Sequence, residues 1–196
     1  MYQIPKFVRS FPKFCVASKV FSPEEVKKII DLEALERFQR GQVGDNSGKS
    51  VVNKKARESS VMWLEPNQNS EWLFRKFAHV VAEVNYDLFC FDIKAFGPFQ
   101  YTVYGENEFY DWHIDEESQW SEVTRKISAT VLLSDPKDYD GGEFEIIPYG
   151  MVNEPEVYKP AAGDIIFFAS HMPHRVRPVT RGVRKSLVSW ILGPWQ

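Results

Sequence analysis

Apolar positions recur at helical steps in the first ninety residues and alternate in short runs after them. Ser22-Pro23-Glu24-Glu25 predicts a helix start, with Ser22 as N-cap, Pro23 at the first helical position and Glu25 closing a capping box. Val26, Ile29, Ile30, Leu32 and Leu35 then form one apolar face that fades near Arg40-Gly41. Asn67-Gln68-Asn69-Ser70 opens a second helix, whose Trp72, Leu73, Phe77, Val80, Val81, Val84 and Leu88 recur every three or four residues. Residues 13–21 and 59–64 read as strands flanking these helices. Residues 41–56, rich in Gly, Asn, Ser and Lys, read as a loop, serving either as a lid or substrate-contacting segment or as a solvated excursion.

Beyond residue 90 the helical period stops. Strand-like runs cover residues 91–95, 100–104, 110–115, 125–134, 143–147, 164–169, 175–179 and 185–192. Turn chemistry separates them at Gly97-Pro98, Asp135-Pro136, Asp140-Gly141-Gly142, Gly163 and Arg181-Gly182. Many short strands with such turns predict a sandwich or jelly roll, with the two helices covering one sheet from outside. The expectation is an α+β chain forming a single domain over 1–196. Residues 1–90 make a helical support region, and 91–196 make the β core that carries the active site.

Composition narrows the function. A chain of 196 residues with 43% hydrophobic and 15% aromatic residues can bury a sizeable core. Its net charge of −3 argues against the broad basic surface that nucleic acid binding needs. The N-terminal Lys6, Arg9 and Lys13 border no continuous apolar run, and no stretch approaches a membrane span, so a cytoplasmic protein without signal peptide or membrane segment is expected. Two cysteines, Cys15 and Cys90, are too few for a disulfide framework and read as ordinary buried thiols.

The candidate chemistry begins at His113-Ile114-Asp115. In an extended chain, side chains two residues apart share one face, so an imidazole and a carboxylate would stand side by side as half of a metal site. His174 is the candidate for the other half. It is preferred to His171 because it enters a strand leading to Arg184, whereas His171 sits in a loop before a proline. His79 lies inside the second helix without a partner at helical spacing and reads as a surface or core-edge histidine. If residues 180–182 form a three-residue hairpin loop with Gly182 left-handed, Arg184 projects to the same side as His174. The two then stand roughly 13 Å apart along the sheet, a gap that an arginine plus a five-carbon dicarboxylate can bridge. Two histidines and one carboxylate with open positions opposite form the facial triad of non-haem Fe(II) oxygenases. A closed zinc site would need a fourth protein ligand, for which His171 alone is spaced.

At these residues the chain resembles the Fe(II)/2-oxoglutarate dioxygenases, specifically the prolyl 4-hydroxylase type. The resemblance rests on Tyr104-Gly105, Tyr110 and His113-Ile114-Asp115, then on Ser128-Ala129-Thr130-Val131-Leu132-Leu133 followed by Asp140-Gly141-Gly142-Glu143. It continues through Ala162-Gly163-Asp164 to the block from His174 to Arg184. It covers about half the chain, in order and with matching gaps. It implies a double-stranded β-helix, a cupin-like jelly roll, with Fe(II) on His113, Asp115 and His174 as the catalytic centre. It also implies 2-oxoglutarate held at its distal carboxylate by Arg184 with help from Ser186 and Tyr104. The family often has lysine in the Arg184 role, with arginine a known variant. The implied reaction converts 2-oxoglutarate and O2 to succinate and CO2 while a substrate C–H is hydroxylated, with ascorbate (vitamin C) as reductant.

A peptidyl proline is the expected substrate, in a peptide or protein partner. Arg57, Tyr110, Trp112 and Trp190 are candidate substrate-side residues, although Trp190 fits plain core packing equally well. Alternatives keep the chemistry on a free amino acid, small metabolite or nucleobase, or keep the jelly roll as a non-catalytic binding module. The basic group Arg175, Arg177, Arg181, Arg184 and Lys185 raises the nucleic acid reading, but strand alternation sends several of these side chains outward.

Overall fold

The structure, a computed structural model, describes residues 14–35, 37–44, 50–116, 122–147 and 154–195. Lys13, the middle of the 41–56 loop and the side chain of Leu35 lie outside the described residues. In chain order the strands begin with β1 (Phe14–Ala17), β2 (Gln39–Arg40), β3 (Val43–Gly44), β4 (Ser50–Val51), β5 (Arg57–Glu58) and β6 (Ser60–Leu64). Next come β7 (Ala95–Phe96), β8 (Phe99–Tyr104), β9 (Phe109–His113), β10 (Val123–Leu132), β11 (Tyr139–Gly141) and β12 (Phe144–Ile146). The last are β13 (Glu156–Tyr158), β14 (Ile165–Ala169), β15 (His174–Val176), β16 (Val179–Gly182) and β17 (Arg184–Pro194). Two α-helices, α1 (Pro23–Ile30) and α2 (Glu71–Val84), precede the main run of strands.

The expected capping box is present: the Ser22 hydroxyl accepts from the Glu25 amide, and the Glu25 carboxylate accepts from the Ser22 amide. The helix is shorter than its apolar pattern, because residues 31–35 tighten into a 3-10 turn and Gln39–Arg40 join a sheet as β2. The Lys76 ammonium, 2.6 Å from Glu25, ties α1 to α2. The α2 helix runs on into a π turn over Asn85–Phe89 that Cys90 closes in a left-handed conformation. The thiols therefore differ from expectation. Cys90 is exposed at this cap, whereas Cys15 is half-buried and burial pushes its thiol pKa up to about 11.

A major sheet has the order β1-β14-β10-β17-β8-β6-β2, with β7 pairing the far end of β17. A five-stranded minor sheet has the order β13-β12-β15-β9-β5. All the paired strands are antiparallel, and the two sheets form the double-stranded β-helix. Period-two alternation divides each strand of the major sheet between two environments. On β14, Ile165 and Phe167 pack toward the helices with Ile29, Leu73 and Phe77, whereas Ile166 and Phe168 join Phe144, Ile146 and Val176 on the other side. Each such fully buried aliphatic or aromatic side chain stabilises the fold by about 1.5–3 kcal/mol.

That second face is not uniformly apolar. Thr102, Ser128, Thr130, Arg184 and Ser186 are buried among its hydrophobic residues. Buried polar side chains on an otherwise apolar face need a reason.

Two further differences concern the C-terminal strands. Residues 91–94 are irregular, with pairing only at Ala95–Phe96. The chain from His174 to Arg184 is not a single hairpin, because Val179–Gly182 pair with Tyr139–Gly141 as a separate ladder. Gly182 is left-handed as expected (φ 77°), but the turn it makes passes the chain from this separate ladder to β17 of the major sheet. His174 and Arg184 thus stand on opposite sheets.

Candidate active site

His113 ends β9 and His174 begins β15, and the two are paired across the minor sheet. A bulge in β9 sets three steps of that strand, Tyr110 to His113, against two of β15, Val176 to His174. It overturns the strict alternation expected for a uniformly extended 110–115, since residues an odd number apart now share a face. The strand stops at His113. Asp115 lies beyond its end, where its amide and that of Glu116 both donate to the Ser170 carbonyl. The carboxylate thereby comes to 3.6 Å from His113 Nε2 and 3.5 Å from His174 Nε2.

The three donor atoms lie within 4.8 Å of one another. An ion bonded at roughly 2.1 Å sets neighbouring ligands roughly 3 Å apart, so this cluster closes on a metal with small movements. Each imidazole presents Nε2 because its Nδ1 is engaged: His113 Nδ1 is 2.8 Å from the Asp111 carbonyl and His174 Nδ1 is 2.9 Å from that of Met172. A carbonyl can only accept, which fixes the proton on Nδ1 and leaves the Nε2 lone pair for a ligand. Ser128 Oγ, 2.9 Å from Ser170 Oγ, also acts on the Asp115 carboxylate, and the Arg125 guanidinium donates to the Asp115 carbonyl at 3.3 Å. The Trp190 indole N–H lies near the same carboxylate but completes no hydrogen bond.

Burial pushes the His113 pKa down from 6.5 to about 4, and the adjacent His174 adds to the shift. Burial acts the other way on Asp115, but His174, His113 and the Ser128 hydroxyl outweigh it and hold the carboxyl below its ordinary range. The consequence for stability has a definite sign. As pH falls below 6.5, the unfolded chain takes up a proton at residue 113 that the folded protein refuses until about pH 4. Thermal melts of the metal-free protein should therefore show stability full above pH 6.5 and falling on the order of 1–3 kcal/mol toward pH 4. A flat profile across that window would mean that residue 113 is protonated alike in both states.

Arg184 is 1% exposed and projects from the major sheet into the same interior. Its Nη1 donates to Ser186 Oγ at 3.1 Å, and its guanidinium carbon sits 5.5 Å from the Tyr104 ring centre. No carboxylate among the described residues pairs with it, and its Nε has no acceptor. Tyr139, which sequence reasoning did not single out, stands beside it: burial raises the phenol pKa, and the guanidinium opposes that rise. Gly142 makes room for this group, since a Cβ there would meet Arg184 Cδ at 3.0 Å and Tyr139 Cε2 at 3.2 Å. Tyr139 could have been found from its place just before Asp140-Gly141-Gly142, though nothing in its own spacing marks it.

The remaining candidates separate clearly. Tyr110 stacks on His113 with ring centres 3.5 Å apart, and Arg57 lies over Tyr110. Trp190 packs 4.1 Å from the Arg125 guanidinium carbon and 6.2 Å from Trp63. Trp112 lies instead on the side of its strand with Arg175, whose guanidinium carbon is 4.7 Å from the indole centre. His171 occupies the turn before β15 and is not part of the three-donor cluster, and His79 is exposed on α2. The basic group near the C-terminus forms no bare patch: Arg175, Arg177, Arg181 and Lys185 pair with Glu145, Glu143, Asp140 and Glu33 respectively. An apolar hollow between α2 and β7, lined by Val81, Ile93, Phe96 and Ile191, lies on the far side of the major sheet and shares no residue with the cluster.

Fold and site define a double-stranded β-helix protein with a two-histidine, one-carboxylate cluster on one sheet and an acid-free buried arginine on the other. Residues 99–192 match the model of the 2OG-Fe(II) oxygenase superfamily. The chain is 30% identical over 177 residues to a PKHD-type hydroxylase of Colwellia psychrerythraea, covering 88% of this chain and 75% of that one. It is 35% identical over 100 residues to a PKHD-type hydroxylase of Acidovorax ebreus, covering 48% and 42% respectively. The chain thus spans about two fifths of the length of several curated relatives it matches. In three dimensions it is similar to a Pseudomonas putida prolyl-4-hydroxylase, with a TM-score of 0.73 over 94% of each chain at 19% identity. The chain belongs to the 2OG-Fe(II) oxygenase superfamily. That family implies Fe(II), 2-oxoglutarate and O2. No helix among the described residues is long and apolar enough to cross a membrane.

Proposed function

We propose that this chain is an Fe(II)- and 2-oxoglutarate-dependent dioxygenase that hydroxylates a prolyl residue in a peptide or protein. The observation that carries the reading is the pairing of an open three-donor cluster with Arg184, a buried cation that has no acid partner among the described residues and an unused Nε donor. His113, Asp115 and His174 would hold Fe(II), an N2O donor set that suits this metal and leaves positions open. Arg184, with the Ser186 and Tyr139 hydroxyls and the Tyr104 ring around it, would hold the distal carboxylate of 2-oxoglutarate. The bound pair supplies an oxidant from O2, with 2-oxoglutarate converted to succinate and CO2.

The chain's own contribution is orientation and exclusion. The Asp111 and Met172 carbonyls keep protons off both Nε2 atoms, and Ser128 helps keep Asp115 ionised. Phe168 and Phe144, with ring centres 4.5 and 5.6 Å from that of His174, keep water from that side. Trp63, 38% exposed beside Trp190, supplies an aromatic rim of the kind on which extended prolyl segments pack.

The test is turnover with Fe(II) and ascorbate as reductant. Succinate should form from 2-oxoglutarate, faster with a prolyl peptide, and the peptide should gain the mass of one oxygen atom. Oxygen appearing on an amino acid or oligonucleotide, and on no peptide of a broad panel, would move the substrate to those classes. No succinate under any of these conditions would overturn the reading.

A further inference from the structure

Arg57 is the second arginine of this interior that is buried without an acid. It is 5% exposed, and no carboxylate among the described residues pairs with it. Its three nitrogens instead reach uncharged acceptors: Nε donates to Ser59 Oγ at 2.8 Å, Nη2 to Gln100 Oε1 at 2.7 Å and Nη1 to the Gln42 carbonyl at 3.3 Å. The backbone fits closely around it, since a Cβ on Gly41 would stand 2.4 Å from Ser59 Oγ and 2.7 Å from Arg57 Nε. A guanidinium in such a setting loses solvation that neutral acceptors only partly replace, and an apolar side chain would serve packing better.

The plane that these bonds fix lies over Tyr110. The two residues face each other across the β5–β9 ladder, with the guanidinium carbon 4.5 Å from the ring centre. Tyr110 in turn stacks on the His113 imidazole at 3.5 Å and 13° between planes. The phenol ring therefore touches both the clamped guanidinium and a residue of the three-donor cluster. The bulge in β9 brings the ring and the imidazole to one face. Among the described residues the His113 ring makes one hydrogen bond, at Nδ1, about which it can still pivot, and its contact with the His174 ring, centres 4.1 Å apart, is tilted by 54° and does not hold it flat.

We propose that Arg57 is a positioning residue for the metal centre, setting the plane of His113 through Tyr110, rather than a residue that touches substrate. The inference rests on the assignment of His113 as a ligand in the proposed function. A planar fork pinned at three points holds an aromatic ring flat, which lysine, with one ammonium and no plane, does not. The ring sets the tilt of the imidazole and with it the direction of the Nε2 lone pair.

The test uses Co(II) as a spectroscopic probe, titrated into the whole metal-free chain and followed by its visible d–d bands. Arg57→Met should bind Co(II) about 10–100-fold more weakly than wild type and show shifted bands. Arg57→Lys should not restore either property. Tyr110→Phe keeps the ring and should retain the wild-type bands, whereas Tyr110→Leu should repeat the Arg57→Met result. The double variant Arg57→Met/Tyr110→Leu should be no worse than either single one, because both act through one contact. Co(II) binding in Arg57→Met with wild-type affinity and bands overturns the inference while leaving the proposed function standing. Failure of wild type to bind Co(II) overturns the proposed function as well. Should Arg57→Met not fold, the contrast between Tyr110→Phe and Tyr110→Leu decides: equal bands in those two overturn the inference.

Discussion

Replacing Arg184 by methionine is expected to weaken 2-oxoglutarate binding by a hundred- to several-thousand-fold, yet to make the ligand-free protein more stable. Both effects follow from one fact: the guanidinium is buried with Ser186 as its hydrogen-bond acceptor, no carboxylate among the described residues opposite it and Nε unused. In the ligand-free protein this is an uncompensated cation, and replacing such a group by a well-packed apolar chain often stabilises by about 1–4 kcal/mol. Methionine suits the slot because it can follow the space that Gly142 leaves open. When the dicarboxylate binds, the same cation gains the partner it lacks. Removing one partner of a buried pair costs about 3–5 kcal/mol, which sets the size of the affinity loss. Anaerobic calorimetry of 2-oxoglutarate binding with Mn(II) in the metal site, beside thermal melts without ligand, measures both. An unchanged Kd would remove Arg184 from the cosubstrate site, and a lower melting temperature would show that its charge is already compensated.

The second large effect is expected for His174→Ala. Succinate formation should fall by more than about a thousandfold, as it does when one member of a catalytic unit is removed. The rise in melting temperature that metal binding gives wild type should vanish with it. His171, three residues away, cannot take over, because it sits in the turn before β15 and outside the three-donor cluster. The folded protein should survive, since the loss is one half-polar side chain beside Phe168 and Phe144. Residual turnover within tenfold of wild type would place the centre elsewhere.

Much of this arrangement could be read from residue order. The capping box at Ser22, the face of α2 and the continuous apolar run of β14 are local properties, set by neighbours a few residues away. His113, Asp115 and His174 were legible as a donor set because their residue types have few other uses in that combination. What could not be read was which sheet each strand joins. Residues 179–182 can pair with 183–186 or with Tyr139–Gly141, and local pattern does not distinguish these outcomes. The expected hairpin therefore placed Arg184 on the same face of one sheet as His174, whereas the two stand on opposite sheets of one interior. Tyr139 was missed for the same reason, since it matters through a strand forty-odd residues later in the chain. Arg57 is legible as a candidate, but two of its three neutral acceptors, Gln42 and Gln100, come from segments that sequence alone does not bring together.

The bulge in β9 carries a consequence for how this arm can change over generations. The interval between Tyr110 and His113 is a matter of phase, not of which residues fill it. Substitutions at Asp111 and Trp112 leave the phase alone and should be tolerated wherever surface chemistry allows. Deleting either residue would remove the bulge, leaving two steps of β9 against two of β15, and with it the local bend and twist that aim the imidazole at Asp115 and His174. Length in this short segment is therefore the more conserved quantity to look for in its descendants, ahead of the letters themselves.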